Sequence, residues 1–266
     1  GTSLPELGVV LNAINRGSPE AVDLAVGGVI GSNIANVMLV LAIAMLIGAA
    51  SQPDKDLKQD ALMLLAATTF VVLSVVMGEF PVWLGVLSIS SMGGYYAYIF
   101  RTRGGDDSDE EDSWIPRGYA YALVAFLFGL ILVKFGSDLL IEGGVGLAIS
   151  IGVSEAVIGL TLVAFGTSLP ELAVTITASI RGVQGVAIGN ILGSNVANVM
   201  AVLGIGAIVA QGLSVSGSFL TLDIWVLLVS SGIIGVSILL GKGVSKPLGA
   251  FLLLGYFVYI AQLFIG

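Results

Sequence analysis

The sequence contains no cysteine and no histidine. Their absence excludes disulfides, thiolate and imidazole metal ligands, thiol nucleophiles and histidine-based acid–base chemistry. Polar chemistry must therefore come from carboxylates, amides and hydroxyls. These hard oxygen ligands suit alkali and alkaline-earth cations better than zinc, copper or iron.

Charged residues are also scarce, at 11% of 266 residues, whereas hydrophobic residues make up 56%. This balance lies outside the range of soluble globular domains. Apolar runs of roughly 20 residues, each long enough to cross a ~30 Å hydrocarbon core, recur along the chain. We therefore predict an all-α integral membrane protein. Its eight predicted spans are residues 21–49, 58–78, 81–101, 117–141, 154–180, 184–211, 219–241 and 246–265.

Residues 1–15 are apolar but too short to cross a membrane alone. The chain starts with Gly and shows neither a basic n-region nor a cleavage-site pattern, so a signal peptide does not account for its start. We expect an N-terminally truncated sequence that opens in the middle of a helix.

The lysines and arginines predict an orientation. With residues 1–15 as part of helix 2 and the full spans as helices 3–10, alternation places eight basic residues on one side and Arg16 on the other, with Lys134 inside a span. The positive-inside rule makes the larger set cytoplasmic. The acidic loop at 103–116 is then a cytoplasmic hinge, with cation sensing as the alternative, and the C-terminus lies outside. The eight residues are Lys55, Lys58, Arg101, Arg103, Arg117, Arg181, Lys242 and Lys246.

Two sequence blocks occur twice, in the same order. GTSLPEL at 1–7 recurs at 166–172, and GSNIANVM at 31–38 recurs as GSNVANVM at 193–200. Two matched blocks in matched order indicate an internal duplication. Gly27 with Gly31 and Gly189 with Gly193 form G-x-x-x-G steps, and we expect these glycines to bring the two motif helices close together.

The duplication predicts an inverted-repeat fold. Residues 118–165 have no counterpart before Gly1, and restoring that counterpart gives five helices per repeat. An odd number makes the two repeats enter the membrane in opposite directions. We predict a transporter fold of 5+5 transmembrane helices that here lacks helix 1 and the first half of helix 2. Its parts are 1–102 (partial helix 2 and helices 3–5), the loop 103–116, and 117–266 (helices 6–10).

Polar side chains of each repeat share helical faces. Thr167 and Ser168 lie four and three residues before Glu171, and Thr2 and Ser3 stand in the same relation to Glu6. A proline between them, Pro170 or Pro5, lacks an amide hydrogen, so it bends the helix and releases the carbonyl four residues earlier. In the second blocks, serine and asparagine are again four apart, as Ser32 with Asn36 and Ser194 with Asn198.

Glu6 and Glu171 are the decisive residues. A carboxylate near the membrane centre costs at least ~2.5 to 3.5 kcal/mol, so it is rare without a function. At equivalent places of an inverted repeat the two would meet at the pseudo-symmetry axis and repel each other unless a cation lay between them. With the neutral oxygens around them they match the 6 to 8 oxygen ligands of calcium.

Other polar residues have simpler interpretations. The hydroxyls and amides of the repeats also fit helix–helix hydrogen bonding. Lys134 and Asp138 fit an interfacial pair or snorkelling side chains. Four further acidic residues near predicted helix ends are interpreted as interfacial, namely Glu79, Glu142, Glu155 and Asp223.

GTSLPEL followed by GSNIAN, twice, resembles the alpha repeats of the sodium/calcium exchanger family, within the cation/calcium antiporter superfamily. The compact loops suggest a prokaryotic-type member. The resemblance implies ten helices in two inverted fives and exchange of sodium for calcium by alternating exposure of one ion cluster. It also implies a multi-pass protein of the inner or plasma membrane. Ca²⁺ and Na⁺ are the transported ions, the bilayer is the surrounding medium, and we expect no cofactor, nucleic acid or protein partner.

The resemblance also implies a set of ion ligands. The family often has an asparagine before the second block, which is Asn190 in the second copy but is replaced by Gly28 in the first. The ligands are Thr2, Ser3, Glu6, Ser32 and Asn36 in the first repeat, and the Ala164 carbonyl with Thr167, Ser168, Glu171, Ser194 and Asn198 in the second.

Three other functions are open. A proton/calcium, or other divalent cation, exchanger of the same superfamily would use the same carboxylates as proton carriers. A cation channel would place carboxylates in a ring, which usually takes several subunits. An intramembrane enzyme is not expected, because the sequence offers no nucleophile–base pair.

Overall fold

A computed structural model describes residues 2–49, 53–103 and 152–265, with isolated helical residues between 124 and 150. The described part is almost entirely helical. In the first half of the chain the helices are α1 (Leu4–Arg16), α2 (Pro19–Ala35), the π-helical segment π1 (Asn36–Leu41), α3 (Ala42–Ile47), α4 (Lys55–Met77) and α5 (Val82–Arg103).

The second half repeats this order of elements. Its helices are α6 (Glu155–Ile158), π2 (Gly159–Val163), α7 (Ala164–Thr167), α8 (Leu169–Ile180), α9 (Gln184–Ala197), π3 (Asn198–Leu203), α10 (Gly204–Val209), a 3₁₀ turn (Gly217–Leu220), α11 (Asp223–Leu239) and α12 (Lys246–Ile265). The run α8, α9, π3 and α10 corresponds to α1, α2, π1 and α3, as the duplicated blocks predict.

Capping residues fix where several helices begin and end. The Ser18 hydroxyl accepts a hydrogen bond from the Ala21 amide at the start of α2, and the Asp54 carboxylate accepts one from the Leu57 amide at 2.7 Å at the start of α4. Gly78 ends α4 with a φ of 75°, a left-handed conformation that glycine adopts without steric cost. The turns between spans are therefore short and locally encoded.

Four described helices are long and apolar enough to cross a membrane, and a bent pair makes a fifth if it is counted as one span. They confirm the predicted spans at 21–49, 58–78, 184–211 and 246–265. The predicted span at 81–101 forms the 22-residue helix α5, but its Ser, Gly and Tyr residues make it less apolar. The predicted span at 219–241 is a helix of 17 residues, and 117–141 lies mostly outside the described residues.

The bent pair lies at Pro170, as predicted from the sequence. Gly159–Thr167 and Leu169–Ile180 meet at an angle of 51° around Ser168, which has φ −82° and ψ −1°. Ser3 takes nearly the same conformation before Pro5, with φ −84° and ψ 9°. Each copy of the motif therefore begins a helix at its serine, with the proline in the first turn where its missing amide hydrogen costs nothing.

Helix α2 packs closely against the second repeat through two glycines. A Cβ atom on Gly31 would lie 2.7 Å from the Leu160 Cα, and one on Gly28 would lie 3.0 Å from a Val163 methyl carbon. Gly28 thus serves close approach where the second copy carries an asparagine. Of the glycines predicted to make close approaches, Gly31 does so, whereas a Cβ on Gly193 would meet no described atom within 4 Å apart from its own stretch of helix.

A two-residue ribbon ties two loops together. Strand β1 (Glu79–Phe80) pairs antiparallel with β2 (Leu213–Ser214). The ribbon holds the turn after α4 and the turn after α10 on the same side of the molecule, which is the arrangement that the predicted alternation of spans requires. Phe80 is fully buried beneath it.

Two acidic residues interpreted as interfacial differ in their burial. Asp223, at the start of α11, is 4% exposed and accepts a hydrogen bond of 2.8 Å from the Tyr259 hydroxyl of α12. Glu79, in the turn after α4, is exposed. The predictions for Lys134, Asp138, Glu142, the Glu155 side chain and residues 104–116 lie outside what the structure describes.

Candidate ion-binding site

The N-terminal ends of the two motif helices, α1 and α8, lie in the interior close to the starts of π1 and π3, and α8 follows the bend at Ser168. Helix bends and π segments both interrupt the regular hydrogen-bond ladder and are frequent at functional sites. Eight of the side chains predicted as ligands are buried there: Glu6, Ser32, Asn36, Thr167, Ser168, Glu171, Ser194 and Asn198. Thr2 and Ser3 are half-buried.

The carboxylate of Glu6 lies among hydroxyls of both repeats. The Ser32 hydroxyl donates to Glu6 Oε1 at 2.9 Å and lies 3.1 Å from the Ser168 hydroxyl. Thr167 also approaches this carboxylate, and Glu171 is close enough to interact with it electrostatically. Ser168 and Thr167 come from the opposite repeat, so the first carboxylate is enclosed by both copies of the motif.

Glu171 has an equivalent environment with the repeats exchanged. Thr2 from the first repeat and Ser194 from the second lie 3.2 Å apart through their hydroxyl oxygens, and both approach Glu171. Neither oxygen of Glu171 accepts a hydrogen bond of normal geometry from the described residues, however. The two glutamates are therefore related by an approximate two-fold axis, as the inverted duplication predicts.

Five buried oxygen atoms in this cluster have no hydrogen-bond donor among the described residues. They are Glu6 Oε2, both carboxylate oxygens of Glu171, Asn36 Oδ1 and Asn198 Oδ1. All five are acceptors, and buried acceptors in proteins are nearly always satisfied. A cation satisfies acceptors without supplying a hydrogen, and carboxylate and amide oxygens are the ligands that Ca²⁺ and Na⁺ prefer.

Two predicted ligands, the Ala164 carbonyl and Ser3, have no oxygen among the five acceptors without a donor. The Ala164 carbonyl accepts hydrogen bonds from the Ser168 amide at 3.1 Å and from the Thr167 hydroxyl at 3.3 Å. A role for it as an ion ligand would require the Thr167 hydroxyl to turn away. Ser3 makes no side-chain hydrogen bond with the described part of the chain.

A narrow crevice that has no room for a water molecule borders the site between α1, α2 and π2. Glu6 and Thr167 line its inner end, whereas Val9, Gly28 and Val163 make its walls apolar. One carboxylate of the cluster therefore borders a gap between the repeats that is closed to water in this conformation.

Two further residues of this region, Asn33 and Asn195, were not predicted from the sequence. Both are buried and hydrogen-bonded across the repeats. They stand in the duplicated GSN block, directly after Ser32 and Ser194, and that duplication was the evidence that would have identified them. The spacing rule that selected residues four apart passed over them.

Comparisons with known proteins give a consistent result. The family model described as "Sodium/calcium exchanger protein" matches residues 1–101 and 121–265. The chain is 31% identical to the "Putative antiporter CaxA" of Alkalimonas amylolytica, covering 99% of this chain and 85% of that protein. It is 28% identical to the "Sodium/calcium exchanger MaX1" of Methanosarcina acetivorans, covering 99% and 86%.

The fold is similar to that of a solved exchanger. A structure of the sodium-calcium exchanger NCX_Mj, soaked with Na⁺ and Sr²⁺, matches with a TM-score of 0.76 at 30% identity. The match covers 98% of this chain and 82% of that one. Sequence and fold thus agree with one family.

Proposed function

Because this chain belongs to the sodium/calcium exchanger family and is a multi-pass membrane antiporter of calcium and other cations, we propose that it exchanges Na⁺ for Ca²⁺ at the interior cluster of oxygens. Transport is by alternating access, in which the same cluster opens to one side of the membrane and then to the other. No catalytic chemistry is involved, and the ions are cargo.

The five acceptor oxygens without donors carry the proposal. Two carboxylates supply two negative charges, which balance one Ca²⁺ or two monovalent ions, and the neutral oxygens complete the shell. Both ions are bound by hard oxygens, so they compete for one set of ligands. The proposed ligands are Thr2, Ser3, Glu6, Ser32, Asn36, the Ala164 carbonyl, Thr167, Ser168, Glu171, Ser194 and Asn198.

The enclosed position of the carboxylates explains why movement would depend on occupancy. Two unbalanced carboxylates in an apolar interior repel each other and cost several kcal/mol to desolvate. A bound cation removes that cost, so only the loaded cluster passes through the occluded state. This coupling is what makes the protein an antiporter rather than a leak.

We further propose that the protein lies in the inner or plasma membrane with the acidic loop in the cytoplasm and the C-terminus outside. The repeats at 1–102 and 117–266 each contribute ligands to this one site, and the loop 103–116 joins them.

Proton/calcium exchange is the second candidate. The unpartnered carboxylate of Glu171 supports it, since protonation would neutralise this buried charge as a metal cation does. The two candidates use the same carboxylates and differ in the coupling ion.

The test is uptake of ⁴⁵Ca²⁺ into proteoliposomes that contain the purified protein and are loaded with NaCl or with choline chloride. We expect uptake only with internal sodium, and its loss in Glu171→Gln. Glu79→Gln, which removes an exposed carboxylate outside the site, is the matched control and should transport normally. Uptake that a proton gradient drives without sodium would support the second candidate, and uptake without any coupling would contradict antiport.

A further inference from the structure

Asn33 and Asn195 bind each other's backbone across the two repeats. The Asn33 Nδ2 donates to the Asn195 carbonyl oxygen at 3.3 Å, and the Asn195 Nδ2 donates to the Asn33 carbonyl oxygen at 3.0 Å. Both side chains are almost completely buried, at 3% and 0% exposure. A reciprocal pair of this kind ties α2 to α9 at the centre of the molecule.

These backbone bonds fix the rotation of both amide groups. A backbone carbonyl only accepts, so each Nδ2 must face it and each Oδ1 must face the other way. Asn33 Oδ1 accepts from the Asn198 Nδ2 at 3.0 Å, and Asn195 Oδ1 accepts from the Asn36 Nδ2 at 3.0 Å. Asn33 thus holds Asn198 of the second repeat, and Asn195 holds Asn36 of the first.

The hydrogen bonds from Asn33 and Asn195 also fix the amide rotation of two proposed ligands, Asn198 and Asn36. With their nitrogens held outward, Asn36 and Asn198 present Oδ1 to the cluster, and both of these oxygens are buried without a donor. The Asn198 Nδ2 also donates to the Ser32 hydroxyl at 3.2 Å, and that hydroxyl donates to Glu6. A reversed amide would instead point two N–H groups at the cation.

We propose that Asn33 and Asn195 are positioning residues, forming a reciprocal clamp that turns the side-chain oxygens of Asn198 and Asn36 toward the ion. The clamp rests on the proposed function, because it supposes that these oxygens bind the transported cation. It does not touch the ion itself, and it works across the repeats, so that Asn33 controls Asn198 and Asn195 controls Asn36.

The first measurement is Ca²⁺ binding to the purified protein by titration calorimetry. Outer partners that orient metal ligands are worth about 10- to 100-fold in affinity, so Asn33→Ala and Asn195→Ala should each weaken binding by roughly that factor. Asn190→Ala is the matched control. Its amide donates to the Thr175 hydroxyl at 3.0 Å and reaches no proposed ligand, so Ca²⁺ affinity should change by no more than about twofold.

Double variants separate positioning from a merely structural role. In the Asn198→Ala background, Asn33→Ala should weaken Ca²⁺ affinity by only about twofold or less, because the oxygen that Asn33 positions is already gone. In the Asn36→Ala background, Asn33→Ala should weaken Ca²⁺ affinity as much as it does alone. Asn195→Ala should show the opposite pattern and provides the cycle if Asn33→Ala does not fold. A structural role would lower stability without this crossed pattern.

Two results would overturn the clamp. One is unchanged Ca²⁺ affinity in the Asn33→Ala and Asn195→Ala variants, and the other is additive effects in the crossed pairs. The proposed function fails separately, if the unaltered protein binds no Ca²⁺ or if Na⁺ does not compete with it. If the protein exchanges the two ions but the affinity losses of Asn33 with Asn198 and of Asn195 with Asn36 are additive, the proposed function stands and the clamp is contradicted.

Discussion

Glu171 is the residue on which the charge of the site depends most directly, because neither of its oxygens has a hydrogen-bond donor among the described residues. Truncating one member of a buried charge pair costs about 2 to 5 kcal/mol. We therefore expect Glu171→Gln to weaken Ca²⁺ binding by roughly 30-fold or more. Equilibrium binding of ⁴⁵Ca²⁺ measures this, and Glu79→Gln should bind like the unaltered protein. If Glu171→Gln bound Ca²⁺ as tightly as the unaltered protein, the Glu171 carboxylate would not be a ligand.

Residues of the site differ in how far the sequence predicts them. Glu6 and Glu171 were predictable because a carboxylate inside an apolar helix is costly and occurs at the same place in both copies. Asn33 and Asn195 were not, since spacing along one helix does not reveal which face meets the other repeat. The burial of Asp223 was not predictable for a related reason, because its partner Tyr259 lies 36 residues away on another helix.

The bend between α7 and α8 is the element that brings Ser168 toward Ser32. Pro170→Ala supplies an amide hydrogen and removes the ring that crowds the preceding turn. We expect a straighter helix, a loss of Ca²⁺ affinity of roughly tenfold, and a melting temperature that does not fall, because alanine fits the first turn of α8 as well as proline does and also allows α7 and α8 to join. Calorimetry and thermal unfolding in detergent measure the two quantities. A variant that loses stability but keeps its affinity would contradict a functional bend.

The contact between α2 and π2 depends on Gly31. An added methyl group there would meet the Leu160 backbone, which cannot move aside as a flexible side chain can. We expect Gly31→Ala to cost about 1 to 3 kcal/mol through overpacking. Gly232→Ala on α11 is the control, since no described atom lies within 4 Å of its Cβ position. Its melting temperature should be unchanged or higher, and an equal loss in both variants would contradict the packing argument.

Elements were predictable where composition alone determines them. The apolar runs that become α4 and α12 lie within a few residues of their predicted bounds, because length and hydropathy define a span. The π-helical segments that begin at Asn36 and Asn198 were not predicted. Their widened turns have no signature in residue periodicity and depend on the packing of the opposite repeat.

Chemical labelling can test the proposed orientation of the molecule in the membrane. Because the sequence contains no cysteine, single cysteines can be added without removing any. Ser214→Cys lies exposed in the ribbon with Glu79, and Ser108→Cys lies in the acidic loop. We expect a membrane-impermeant maleimide to label Ser214→Cys from outside intact cells and Ser108→Cys only after the membrane is opened. The reverse pattern would invert the proposed topology.

The central claim is that Na⁺ and Ca²⁺ share one set of ligands in the interior of the protein. Binding of ⁴⁵Ca²⁺ to the purified protein at increasing NaCl, with choline chloride holding ionic strength constant, tests it most directly. A shared site predicts that Na⁺ raises the apparent Kd for Ca²⁺ without changing the number of Ca²⁺ sites, and that Glu171→Gln abolishes the high-affinity binding from which this competition is measured. Calcium binding that is indifferent to Na⁺, or a fall in site number at constant Kd, would contradict the account.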